Sequence, residues 1–149
     1  MAFDKSDSQN WSLPWHQDRV VAVRDRLDVE GFTNWTRKDG SWHCEPPVAL
    51  LQRMLFLRVH LDPSTEDNGA MQIALGSHRQ GLIPSAQAAS VALACPVETT
   101  EAAPGDLLVL KMLTLHRSCP SRETTPRRVL RLDLADFDLP SGLDWAEHG

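Results

Sequence analysis

The sequence predicts an all-β domain, a sandwich or barrel, on three observations. Apolar and β-branched runs are short and recur along the whole chain. The segments between them are dense in turn-forming residues, as in "PSTEDNG" and "APGD". One run, "RMLFLRVHLD", alternates strictly: Leu55, Leu57, Val59 and Leu61 define one face, and Phe56, Arg58, His60 and Asp62 the other. This pattern belongs to antiparallel strands rather than to the strand–helix repeat of a parallel α/β sheet.

Taken in order, "WHQDRVVAV" predicts the first clear strand. Residues 24–46, charged and rich in Trp and Gly, predict an irregular functional insertion. "PPVALLQRM" predicts a short helix, since proline is tolerated in a first turn. "RMLFLRVHLD" is a strand lining a polar pocket, and "AMQIALGSH" one that ends at Gly76. Residues 84–94, alanine-rich, predict a turn of helix. "LLVLKMLTLH" is apolar enough for one buried strand or two closely spaced ones, and "RRVLRLDLADF" predicts the last strand, with a mobile polar tail from Pro140.

The 149 residues suit one domain spanning 1–149, with 42% hydrophobic residues and no repeat, low-complexity tract or linker. The net charge is −5, and beyond Arg127, Arg128 and Arg131 there is no basic cluster. The expected partner is therefore a small molecule rather than nucleic acid or a membrane surface. Cys44, Cys95 and Cys119 lack CxxC spacing and read as reduced thiols. The polar start and the lack of a ~20-residue apolar run predict a cytoplasmic protein.

Candidate metal ligands come from spacing. On a strand, His16 and Asp18 project from one face and Gln17 from the other. A histidine and a carboxylate joined by one distant histidine make the facial triad that holds non-haem Fe(II) with open positions. The pattern is weak alone, because chance supplies roughly half a His-x-Asp match in a chain of this composition. It also occurs twice. His60 and Asp62 satisfy it equally well, and spacing does not choose between the pairs. His116 closes the buried run "LTLH", and Arg127 follows eleven residues later in "PRRVLRL".

The order of these segments, "FDK", "NWSLPWHQD", "LRVHLD", "NGAMQIALGSHRQG", "PGDLLVL", "LHRS" and "PRRVLRL", resembles the phytanoyl-CoA dioxygenase family of Fe(II)- and 2-oxoglutarate-dependent oxygenases, from Phe3 to about Leu134. The resemblance implies a double-stranded β-helix, a cupin-like jelly roll with one or two short helices. It implies His16, Asp18 and His116 as catalytic iron ligands, and leaves His60 and Asp62 as polar groups of the pocket or strand end. Arg127 matches the arginine that pairs with the far carboxylate of 2-oxoglutarate, and Ser118 a hydroxyl beside it. Strand periodicity alone does not separate Arg127 from Arg128. Gln17 and Trp35 match or neighbour cosubstrate positions. His78 matches a family loop, whereas His43 and His148 carry no signal. Lys5, Arg58 and Lys111 are further cations that can face the pocket.

The implied reaction couples oxidative decarboxylation of 2-oxoglutarate, giving succinate and CO2, to O2-dependent oxidation of a small-molecule or acyl substrate. Asp18 points to hydroxylation, since related halogenases carry a small residue there. Family members have more chain ahead of "FDK". The expected consequence is an apolar sheet face left open, which a homodimer partner would cover. The alternative is a truncated, non-catalytic β-helix module that binds metal or metabolite without turnover.

Overall fold

A computed structural model describes residues 2–5, 10–123, 125–140 and 142–146. His148 and the Lys5 side chain lie outside the described part, as does much of the tail after Pro140. Eleven strands are described: β1 (Ala2–Lys5), β2 (Leu13–His16), β3 (Val21–Val23), β4 (Thr33–Lys38), β5 (Ser41–Glu45), β6 (Leu55–His60), β7 (Met71–Ala74), β8 (Val97–Thr99), β9 (Leu107–Lys111), β10 (His116–Ser118) and β11 (Arg127–Leu134). Two short helices accompany them, α1 (Val48–Leu51) and α2 (Ala88–Leu93).

The strands form two four-stranded sheets, ordered β1-β11-β6-β9 and β2-β10-β7-β8, and a three-stranded sheet ordered β3-β5-β4. Every pairing is antiparallel. The first two sheets face one another across a core containing Phe56, Met71, Ile73 and Met112, which makes the fold a jelly roll. "LLVLKMLTLH" is two strands in opposite sheets. Met112, Leu113 and Leu115, buried between them, carry the chain across the core. A second apolar cluster, Trp15, Ala74, Ile83, Ala88, Ala92 and Leu115, seats α2 on the outside of the β2-β10-β7-β8 sheet. The small side chains of "AASVAL" let that helix lie close.

Two sequence expectations are corrected. "WHQDRVVAV" is not one strand: β2 stops at His16 and β3 starts at Val21. Gln17 explains the break. Its buried amide donates to the Gly81 and Leu113 carbonyls, both at 2.8 Å, and accepts from the Ile83 N–H at 2.9 Å. A side chain so committed to backbone groups of two loops draws the chain out of the ladder. Residues 24–46 are not irregular throughout, because β4 and β5 form a hairpin within them. Its turn is Asp39-Gly40, both with positive φ, 50° and 84°, the pair that a tight hairpin favours.

Candidate metal centre

The site forms where the β2–β10 ladder meets the facing sheet. His16 pairs directly with His116 across the ladder, so both imidazoles leave the same face, with ring centroids 4.3 Å apart. The register shifts between this pair and Leu13↔Ser118, giving β2 an extra residue. Pro14 sits in that irregular stretch, where its missing N–H is least costly. Its carbonyl accepts a hydrogen bond from His16 Nδ1 at 2.7 Å, and the Thr114 carbonyl accepts one from His116 Nδ1 at 2.9 Å. A carbonyl only accepts, so each Nδ1 carries the proton, and Nε2 is left to donate to Asp18 in the charged ring or to present a lone pair to a metal in the neutral one.

Both Nε2 atoms converge on Asp18. His116 Nε2 lies 3.3 Å from Asp18 Oδ2, and His16 Nε2 lies 3.9 Å from Oδ1. The three donor atoms fall within 4.8 Å of one another, the one group among the described residues with metal-binding spacing. Ligands at right angles around an ion, with bonds of ~2.1 Å, stand about 3 Å apart, so small side-chain rotations bring this set into register. The donor chemistry fits: two neutral imidazoles oriented by backbone acceptors, and one carboxylate.

Asp18 is ionised despite its surroundings. Burial works to raise its pKa, but the hydrogen bond and charge of His116 and the charges of Arg131 and His16 outweigh it, holding the carboxyl well below the usual range. Burial lowers the pKa of His16, as does the charge of His116, which favours the neutral, ligating form. Arg131 is the residue that sequence reasoning missed. Its Nη1 donates to Asp18 Oδ2 at 2.6 Å, its Nε to Asp133 Oδ1 at 2.7 Å, and its guanidinium lies 4.8 Å above the Phe56 ring. Phe56 in turn packs 5.4 Å from His116. The alternation Val129, Arg131, Asp133 put Arg131 on the inward face of β11, which was the available signal.

Register separates the two arginines that periodicity left equivalent. Arg127 is 2% exposed, and its Nε donates to the Asn68 carbonyl at 3.3 Å. Its Nη2 is buried with no hydrogen-bond partner among the described residues. Arg128 points outward and holds Asp62 through Nε and Nη2, at 2.8 and 2.9 Å. Asp62 is thereby committed to Arg128, and His60 and Asp62 gather no third metal-ligating group among the described residues. Arg58 faces inward beside Arg127. Burial and the charges of Arg127 and Arg131 pull its pKa down to about 10. Ser118 is buried on the same side of β10 as His116.

Gln17 and Trp35 are engaged elsewhere. Gln17 is the loop tie described above, between His16 and Asp18 in the chain. Trp35, on β4, packs edge-on against Trp42 at 6.5 Å and donates from Nε1 to the Phe32 carbonyl at 3.2 Å. His78 is half-buried in a 3-10 turn over Ser77–Gln80, and His43 lies on β5. Lys111 is exposed at the end of β9.

Several solved structures share this fold. AviO1 from Streptomyces viridochromogenes Tue57 aligns with a TM-score of 0.61 at 24% identity, over 94% of this chain and 49% of its own. EctD from S. alaskensis with bound Fe aligns at 0.61 and 20% identity, over 89% of this chain and 41% of its own. SnoK, a non-heme alpha-ketoglutarate-dependent carbocyclase from nogalamycin biosynthesis, aligns at 0.63 and 13% identity, over 92% of this chain and 48% of its own. The chain thus spans about half the length of these structures or less. No curated protein matches it. The family model for phytanoyl-CoA dioxygenase matches residues 2–129, nearly the whole jelly roll including His16, Asp18, His116 and Arg127, and the chain belongs to that family.

Proposed function

We propose that this chain is an Fe(II)- and 2-oxoglutarate-dependent dioxygenase that hydroxylates a small-molecule or acyl substrate and releases succinate and CO2. The observation that carries the reading is the pair of imidazoles, each with Nδ1 pinned to a backbone carbonyl and Nε2 aimed at the ionised Asp18. His16, Asp18 and His116 would hold the iron, which with 2-oxoglutarate supplies O2-dependent oxidation of a C–H bond. The remaining work falls to the chain. Arg127 offers buried guanidinium donors to the far carboxylate of the cosubstrate, a charge-assisted contact. Ser118, on the His116 side of β10, adds a hydroxyl. Arg131 keeps Asp18 ionised and fixes one of its oxygens, and Phe56 walls the His116 ring.

Incubation with Fe(II), 2-oxoglutarate, ascorbate and air tests this reading. Slow succinate release is expected even without substrate, and it is lost in Asp18→Ala. The ion pair between Arg131 and Asp18 favours one other reading, a non-catalytic module in which that pair is a structural tie. Metal binding without succinate release would establish that alternative.

A further inference from the structure

His60 is buried, and neither ring nitrogen has a hydrogen-bond partner among the described residues. An imidazole enclosed in this way gives up its hydration and receives nothing in return, a cost that an aliphatic side chain at the same position would not carry. Register shows what lies beside it. His60 pairs with Val129 across the β6–β11 ladder, and Arg127 stands two residues from Val129 on the same, inward face. His60 and Arg127 are therefore diagonal neighbours, with Cα atoms about 7–8 Å apart, within reach of two long side chains. Arg127 has the matching defect, since its Nη2 is also buried without a partner. Both residues stand away from the iron ligands: Phe56 packs on His116, and His60 lies four residues further along β6, about 13 Å down the strand.

We propose that His60 is a second contact of the cosubstrate, donating an imidazole N–H to the same far carboxylate that Arg127 receives. The inference rests on the function proposed above and adds a residue to that site. Lone-pair geometry supports it. A carboxylate offers about four acceptor positions, of which the two-pronged guanidinium fills two, so a further donor beside Arg127 finds an open acceptor. A neutral imidazole carries one N–H in either tautomer, and no change of protonation is needed. Charge supports it as well. Burial lowers the His60 pKa, and so do the charges of Arg58 and Arg127, against a single opposing acid, Asp106. The interior side of the ring is thus a positive region, suited to an anion. Space is present beside the ring, which borders a cavity of about 190 Å³. The two acids on that cavity, Glu101 and Asp106, are exposed and each already accepts a backbone N–H, from Glu66 at 2.9 Å and from Ala103 at 2.8 Å.

The test compares two ligands on the anaerobic Fe(II)-loaded chain, followed by visible absorption: 2-oxoglutarate, and 2-oxopentanoate, in which a methyl group replaces the far carboxylate. His60→Leu is expected to weaken 2-oxoglutarate about 10–100-fold, the size of a lost hydrogen bond to a charged group, and to leave 2-oxopentanoate within about twofold of wild type. His60→Gln keeps an N–H donor and is expected to hold 2-oxoglutarate within about fivefold. Without ligand, His60→Leu should unfold in urea at or above the wild-type midpoint, because it removes an unsatisfied buried group. A purely structural histidine would behave differently, its loss lowering the midpoint and weakening both ligands alike. That result, or unchanged 2-oxoglutarate affinity in both variants, would overturn the inference while leaving the iron site standing. A wild-type chain that binds neither ligand would overturn the proposed function and this inference together.

Discussion

Asp18 shows how much one position depends on its neighbours. The carboxylate is useful because two imidazoles are held with Nε2 forward and because Arg131 and His116 keep it ionised against the cost of burial. His-x-Asp spacing made the residue visible, but the same spacing at His60 and Asp62 was indistinguishable in the sequence. What separates the pairs is the outward guanidinium of Arg128, a cross-strand contact that no local pattern encodes. That contact also gives a pH signature. Hydrogen bonding from Arg128 outweighs a small burial effect and lowers the Asp62 pKa to about 2 from its ordinary 3.8. A carboxyl whose pKa is depressed on folding adds stability above its unfolded value, and that stability is lost as pH falls toward the folded value. Wild type should therefore lose about 0.5–1 kcal/mol more than Asp62→Asn between pH 5 and 2, a size set by a surface pair, measured by urea unfolding across that range. Gln17 offers a second test. Replacing its thrice-bonded, buried amide by Leu leaves loop carbonyls and an N–H unsatisfied, and should cost about 2–3 kcal/mol in the same assay while weakening metal binding through misplacement of Asp18.

At the scale of elements, the strands with strict alternation were legible and those set by turns were less so. β6 and β11 follow from apolar periodicity, and the polar positions of β6 face the core as a pocket-lining strand requires, with Phe56, Arg58 and His60 buried. The β4–β5 hairpin was obscured because its strands are charged and Trp-rich, burying little on β4; the Asp39-Gly40 turn was the readable signal. The break after β2 was hidden because its cause, the Gln17 amide bonding to loops 64 and 96 residues away, is tertiary. β5 carries a direct check on this sheet. Cys44 pairs with Val21 in the ladder and is fully buried, and burial pushes its thiol pKa up to about 11. In the native protein a thiol reagent should label Cys95 and Cys119, both half-buried, and leave Cys44 unmodified until denaturant is added, as read by mass spectrometry. Rapid labelling of Cys44 would mean that β3 and β5 do not stay paired.

Across the whole molecule, one sheet serves two surfaces. β6 and β11 turn Arg58, Phe56, Arg127 and Arg131 inward to the side of the sheet that faces the candidate metal site, and Leu57, Val59, Leu130 and Leu132 to the outer side. The strict period of two makes this division possible and made it readable, since the outward Leu and Val positions stand in the sequence as plainly as the inward arginines. The jelly roll was therefore legible, and His16, Asp18 and His116 could be singled out before the structure brought them together, whereas Arg131 was not legible, because its pairing with Asp18 joins residues 113 positions apart. No described helix is long and apolar enough to cross a membrane.

The most direct test of the central claim is an anaerobic titration of the purified chain with Fe(II) and then 2-oxoglutarate, followed by visible absorption, with Asp18→Ala and Arg127→Ala alongside. A metal-to-ligand charge-transfer band is expected in wild type, absent in Asp18→Ala for want of a ligand. In Arg127→Ala the band should need roughly 10–1,000-fold more 2-oxoglutarate, the size of a lost buried carboxylate contact. A folded wild-type protein that develops no band, or an equal band in Asp18→Ala, would contradict the assignment of His16, Asp18 and His116 as an iron site.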